Sequence, residues 1–165
     1  WAIPGTPGLE HRIGGLEKDY ATSNISYDPD NHQRMTEVRA EKIAGVANEI
    51  PMQKVLCGPE KGPLAVVGWG STFGAIEEAI HLASEDGLEV AHIHLDYLNP
   101  MPKNLGTLLS GYKNIMVPEM NSGQLVKLLR SAYLAPAEGL NKVTGQPFKV
   151  KEILGAIRAK LGNDK

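Results

Sequence analysis

Pro63-Leu64-Ala65-Val66-Val67-Gly68-Trp69-Gly70-Ser71-Thr72-Phe73-Gly74 is the stretch that decides the fold. Leu64 to Gly68 is a continuous apolar run rather than an alternation, so it reads as a strand buried on both faces. A tight polar turn follows. Beyond it Ile76, Ala79, Ile80 and Ala83 recur at helical spacing, which predicts a helix over residues 72–84 with one buried stripe. Asp86-Gly87 closes that helix, because glycine tolerates the left-handed cap. Residues 88–97 then read as a second strand, on which His92 and His94 alternate with Ala91, Ile93 and Leu95 across the two faces. Strand, turn, helix, strand is the unit of a parallel sheet, and such sheets bind ligands at the carboxyl ends of their strands.

The alternation continues downstream. A Pro-bearing loop (98–103), a short helix (105–111), a strand (114–118), a helix (123–134), a strand (141–144) and a last helix (151–161) complete it. Leu125, Leu128, Leu129 and Ala132 face inward on one of these helices, and Ile153, Leu154, Ile157 and Leu161 on the other. Upstream, residues 53–57 read as an edge strand closed by the turn Gly58-Pro59-Glu60-Lys61-Gly62-Pro63. Met35, Val38, Ile43, Val46, Ala47 and Ile50 mark an amphipathic helix that begins near Asn31, is capped by Asp30 or Asn31, and is ended by Pro51. Before it, Ile13, Leu16, Tyr20, Ile25 and Tyr27 are scattered without period among Gly, Pro, Asp, Asn and Ser. The expected architecture is an irregular arm with a connecting helix over 1–50, followed by an α/β domain over 51–165. That domain is expected to be a three-layer α/β/α sandwich whose mainly parallel sheet has about five strands, the first antiparallel at an edge.

The chain's 165 residues, 42% of them hydrophobic, are enough for one sizeable core. A formal net charge of −2 without clustered Lys or Arg argues against nucleic acid and acidic membrane surfaces as partners. Cys57 is the single cysteine, so neither an internal disulfide nor a thiolate cluster for zinc or iron–sulfur ligation is available. This usage suits a reducing cytoplasm. No apolar stretch approaches the roughly 20 residues that span a bilayer. The opening Trp1-Ala2-Ile3-Pro4, without an initiator Met, reads as a piece of a longer polypeptide.

Several residues invite chemical readings. Gly68-Trp69-Gly70-Ser71-Thr72-Phe73 opens like the dinucleotide fingerprint, but Phe73 stands where its third glycine lets helix and strand pack closely. No Gly-Lys-Ser/Thr follows for a phosphate loop, and Ser71 lacks the glycines of a nucleophile elbow. Ser71 or Thr72 either caps the following helix or, with Gly70, lines a ligand crevice. Pro118-Glu119-Met120-Asn121-Ser122-Gly123 sits at another strand-to-helix junction. There Glu119, Asn121 and Ser122 are candidates for the same crevice, and the polarised helix start suits an anion; ordinary capping by Ser122 explains them equally. His92, His94 and Asp96 share a strand face, which serves either a hydrogen-bonded structure or, with convergent geometry, a metal. No carboxylate pair or catalytic triad is evident, so no residue is assigned as catalytic and none as a metal ligand.

Taken together, Ile3-Pro4-Gly5-Thr6-Pro7-Gly8, Gly8-Leu9-Glu10-His11-Arg12-Ile13-Gly14-Gly15-Leu16-Glu17, Asn24-Ile25-Ser26-Tyr27-Asp28-Pro29-Asp30-Asn31-His32, Gly68 to Thr72, Leu98-Asn99-Pro100-Met101-Pro102 and Pro118 to Leu125 resemble the alpha subunit of 2-oxoacid:ferredoxin oxidoreductases, particularly the 2-oxoglutarate type. The resemblance implies the C-terminal part of that subunit, a domain like the C-terminal domain of transketolase. It also implies a parent enzyme that uses thiamine diphosphate, Mg2+, an iron–sulfur cluster and coenzyme A to decarboxylate a 2-oxoacid and reduce ferredoxin. The partners implied are the rest of the alpha subunit and a beta subunit, within an oligomer. The family's thiamine-binding domains would lie elsewhere, and the G-D-G thiamine motif is missing here. This chain alone is therefore expected to bind no cofactor and to act in assembly. A coenzyme A-binding module at Ser71, Thr72, Glu119 and Asn121, or an autonomous nicotinamide-binding domain, are the alternatives.

Overall fold

The computed structural model describes residues 2–11 and 13–162, so Trp1, Arg12 and the last three residues lie outside the described residues. The chain divides into two units, residues 1–49 and 50–165.

In the first unit, helix α1 (Pro29–Gly45) begins two residues earlier than its apolar pattern suggests. Pro29 already has the φ of a first helical turn, and Asp28 caps it by accepting a hydrogen bond from the Asn31 backbone N–H. Asn31, the only buried residue of α1, has another task. Its amide donates to the Lys18 carbonyl (3.0 Å) and accepts from the Tyr20 N–H (3.0 Å), pinning the turn of residues 18–25. The helix gives way to a single 3-10 turn at Val46–Asn48 before Pro51 is reached.

In the second unit the order is β1 (Gly62–Trp69), α2 (Phe73–Glu85), β2 (Ala91–Leu95), α3 (Leu105–Leu109), β3 (Tyr112–Glu119), α4 (Gln124–Tyr133), β4 (Ala137–Asn141) and α5 (Val150–Leu161). The sheet runs β2-β1-β3-β4, and every pairing within it is parallel. Side-chain alternation sorts the core into two slabs. Ala65, Val67, Ile93, Ile115 and Val117 point to the face covered by α3 and α4, where Leu105, Leu109, Leu125 and Leu129 close over them. Leu64, Val66 and Met116 point to the face covered by α2 and α5, against Ile76, Ile80, Ile153 and Ile157. The result is the α/β/α sandwich.

Two details of the expected sheet are corrected. Among the described residues the sheet has four strands, not five, and no antiparallel member. Residues 53–57 do run beside β2, but the backbone pairing is one antiparallel bridge, Cys57 with His92, made by Leu56 N–H to the His92 carbonyl (2.8 Å) and His92 N–H to the Cys57 carbonyl (2.9 Å). Further along, a side chain replaces the ladder: the Gln53 amide donates to the His94 carbonyl at 2.8 Å, while Asn104 holds the Gln53 backbone N–H and carbonyl. The last strand lies at Ala137–Asn141 rather than 141–144. Val143 and Thr144 have the better strand propensity, but register with Ile115 to Glu119 sets the strand, and Val143 is left 70% exposed.

Candidate functional site

Parallel strands deliver their carboxyl ends to one edge. β1 leaves that edge for α2 on one face, whereas β3 leaves it for α4 on the other, so the chain parts between two neighbouring strands. A crevice opens there. It measures about 200 Å³ and is lined by Trp69, Gly70, Ser71, Thr72, Met120 and Asn121. Four of the six candidate residues therefore meet: Gly70, Ser71, Thr72 and Asn121.

The turn after β1 is shaped from within. Gly70 has φ +57°, in the region where a Cβ is penalised. The Thr72 hydroxyl reaches back, donating to the Trp69 carbonyl (2.8 Å) and accepting the Trp69 N–H (3.2 Å). It does not cap α2 through a side-chain hydrogen bond, and neither does Ser71. Ser71 stays exposed on the crevice wall.

The other two candidates do not join. Glu119 is fully buried at the end of β3, and its carboxylate turns to the start of α4, accepting from Leu125 N–H (2.8 Å) and Val126 N–H (3.0 Å). Its two oxygens thereby satisfy two of the orphan N–H groups of the helix start. Asn121 adds a second local clasp, its Oδ1 accepting from Gly123 N–H (2.8 Å) and Gln124 N–H (2.9 Å). The N-terminus of α4 is therefore satisfied by the protein's own oxygens. Ser122 is exposed and does not cap: the cap residue is Gly123, at φ +84°, without a side-chain cap bond of its own. The signal for Glu119 was available in the sequence as an acid ending a strand just before a helix start, but burial was needed to choose its role.

His92 and His94 share the α2 face of β2, and Phe73 lies against both, with ring centroids at 5.3 Å and 5.0 Å. The two imidazoles are 6.0 Å apart, centroid to centroid. Among the described residues, no group of three or more His, Cys, Asp or Glu is placed to hold a metal ion. Burial, with a smaller contribution from His94, pushes the His92 imidazole down to about 4, and burial also lowers His94 against the opposing pull of Asp96. Burial raises the Cys57 thiol, away from reactivity.

The family model described as pyruvate:ferredoxin oxidoreductase core domain II matches residues 63–153, which hold β1 through the first turn of α5. The chain is 47% identical, over 161 residues and 98% of its length, to the 2-oxoglutarate oxidoreductase subunit KorA of Mycobacterium tuberculosis, of which it covers 24%. Among solved structures it superposes with TM-score 0.88 and 28% identity on a chain of the 2-oxoglutarate:ferredoxin oxidoreductase of Magnetococcus marinus, covering 97% of itself and 28% of that chain. A split-gene transketolase chain matches at TM-score 0.53 and 16% identity, over 68% of this chain and 42% of that one, which shows shared fold alone. The chain thus spans about a quarter of the length of the KorA relative. Among the described residues no helix is long and apolar enough to cross a membrane. With the model matched over more than half of its residues and the arm and the sandwich both shared with the KorA relative, the chain belongs to the pyruvate:ferredoxin oxidoreductase core domain II family.

Proposed function

We propose that the chain is a non-catalytic assembly domain of a 2-oxoacid:ferredoxin oxidoreductase, with 2-oxoglutarate as the substrate of the parent enzyme, which it oxidatively decarboxylates to an acyl-coenzyme A. The observation that carries this reading is apolar surface left open. Ile13 is 88% exposed and Tyr27 84%, and α1 buries none of its apolar residues. A segment that displays such residues without a core of its own is built to be covered by another polypeptide. The polypeptides proposed are the remainder of the alpha subunit and the beta subunit, within an oligomer that passes electrons to ferredoxin. Thiamine diphosphate supplies the electron sink for decarboxylation when bound. It is assigned here, with its Mg2+ and the iron–sulfur cluster, to those other parts.

Coenzyme A suits the crevice poorly. No Lys or Arg lines it, the Thr72 hydroxyl is engaged with Trp69, and the helix donors of α4 are already held by Glu119 and Asn121. Nicotinamide binding meets Phe73, whose ring is packed on the two histidines. The decisive experiment gives the purified chain 2-oxoglutarate, thiamine diphosphate, Mg2+, coenzyme A and ferredoxin: no turnover is expected, and any turnover overturns the reading. Mixed with the remaining subunit parts, residues 1–49 are expected to gain protease resistance that they lack alone. Titration calorimetry with coenzyme A is expected to show only heat of dilution.

A further inference from the structure

Asp86-Gly87 is the single Asp-Gly step of the chain, and no Asn-Gly step occurs. Such a step is chemically weak, because glycine has no Cβ to shield its amide nitrogen from the carboxyl group of the preceding side chain. The nitrogen can attack Asp86 Cγ. A C–N bond forms and one C–O bond breaks, and the oxygen leaves as water with the amide proton and one proton from solvent. Water then adds to the five-membered imide. Addition at Cγ restores the aspartate. Addition at the main-chain carbonyl carbon breaks its bond to the Gly87 nitrogen and leaves an isoaspartate, with the backbone running through Cγ and a free α-carboxylate. Nothing but water enters or leaves.

The folded chain opposes this reaction from two sides. Asp86 is the C-cap of α2 with ψ 0°, an angle at which the Gly87 nitrogen eclipses the Asp86 nitrogen rather than Cβ. Three amides are tied to the last turn of the helix: Asp86 N–H donates to the Leu82 carbonyl (3.2 Å), Gly87 N–H to Ser84 (3.0 Å) and Leu88 N–H to Ala83 (3.0 Å). The carboxylate is fastened from another element. Arg158 of α5 donates through Nε at 2.8 Å and Nη2 at 2.6 Å, both to Asp86 Oδ2. Deeper in, the same two helices close on each other through Ile76, Ile80, Ile153 and Ile157. The fastening itself lies at the surface, with the Arg158 side chain 55% exposed and that of Asp86 41%. Beyond its chain neighbours, nothing stands within 4 Å of where a Gly87 Cβ would be. Cyclisation therefore needs only a local opening of the cap, not unfolding of the core.

We propose that Asp86 is a site of isoaspartate formation and that Arg158 guards it. While α5 holds the carboxylate, the step is silent; when the end of α2 lifts from α5, it converts. Conversion adds a methylene to the backbone at the cap and carries the carboxylate away from Arg158, so a converted chain cannot remake the fastening. Its product is the substrate class of a carboxyl methyltransferase that recognises β-linked aspartyl residues. None of these residues contributes to the assembly role, so either reading can fail without the other.

The test incubates the full chain at neutral pH, counts isoaspartate by enzymatic carboxyl methylation and locates it by peptide mapping. Isoaspartate is expected to appear first at Asp86. The native chain should convert at least about tenfold more slowly than the chain in urea, the ratio set by a cap that is open in fewer than about one molecule in ten. Arg158→Ala should speed conversion about two- to fivefold, the factor that an exposed ion pair contributes. Arg158→Lys should fall between, since it keeps the charge and loses the paired N–H geometry. Concentrated sodium chloride screens the pair, so it should accelerate the wild type and leave Arg158→Ala unchanged. The salt response of the wild type decides the matter even if the variants do not fold. Equal rates with and without Arg158, a salt-insensitive wild type, native conversion as fast as in urea, or first conversion elsewhere, as at Asn121-Ser122, would each overturn the proposal.

Discussion

Glu119 and His92 are both fully buried polar side chains with opposite circumstances. Glu119 meets two backbone donors at 2.8 and 3.0 Å, so removing it strands the first N–H groups of α4 inside the protein. Glu119→Ala is expected to lower the stability by about 2–4 kcal/mol, read as a drop in the urea midpoint, and Glu119→Gln by roughly half of that, because one acceptor oxygen survives. Among the described residues neither ring nitrogen of His92 meets a hydrogen-bond partner. Its folded pKa is about 4 against an ordinary 6.5, so between those values the unfolded chain binds a proton that the native protein refuses. Stability is therefore complete above pH 6.5, falls as the pH drops toward 4, and levels below that, an effect on the order of 2–3 kcal/mol. His94, lowered for the same cause, adds in the same direction. His92→Leu, compared with the wild type by thermal melts from pH 4 to 7, should show a flatter profile and equal or higher stability at pH 7. An unchanged slope would refute the assignment. From the sequence, the shared face of His92 and His94 was legible by parity. That Glu119 would be a cap rather than a crevice residue was not, because an acid at a strand end looks the same whichever way it turns.

At the scale of elements, stripes and alternation carried the reading as far as local geometry reaches. The buried stripe of α2, and Leu125 and Leu129 of α4, follow from helical period alone. Leu128 and Ala132, expected inward, are exposed and Val126 is buried instead, because the sheet face sets which side of α4 is covered. The ends of elements do not follow from period either. Residues 53–57 have the length of a strand, but Gln53 binds β2 through its side-chain amide, and only Cys57 and His92 pair by backbone. The turn behind that bridge depends on Gly58, at φ +86°, where a Cβ would lie 2.2 Å from the Val90 carbonyl oxygen. Gly58→Ala is expected to destabilise by at least ~2 kcal/mol and to expose the His92 amide to hydrogen exchange. Unaltered exchange at His92 would show the bridge to be dispensable. At the other end of the sheet, α4 closes on Leu134 at φ +51°, a left-handed leucine that is 90% exposed. Leu134→Gly removes that strain and little packing, so the isolated chain should gain about 0.5–1 kcal/mol in its urea transition. A loss would mean that the side chain supports the cap.

For the molecule as a whole, the division at residue 49/50 makes its own prediction: residues 50–165, produced alone, are expected to unfold in one cooperative transition, since both core slabs lie within them. A broad, non-cooperative melt would refute this. The residues that determined the architecture without help were the apolar run 64–68, the helical stripes beyond it and the alternation of strand with helix, because each is a short-range pattern that any packed chain must satisfy. The exposed Ile13 and Tyr27, scattered without period, likewise announced a segment with no core of its own. Only the tertiary structure decided the strand order, which puts Trp69 to Thr72 beside Met120 and Asn121, the position of β4, and the orientation of the Glu119 carboxylate. The first rests on pairing between residues about fifty apart and the second on pairing 22 residues apart. The carboxylate, though it bonds N–H groups only six and seven residues on, is turned by the burial the packed sheet imposes. The free energy of such contacts lies in burial and hydrogen bonding that no local window of sequence contains.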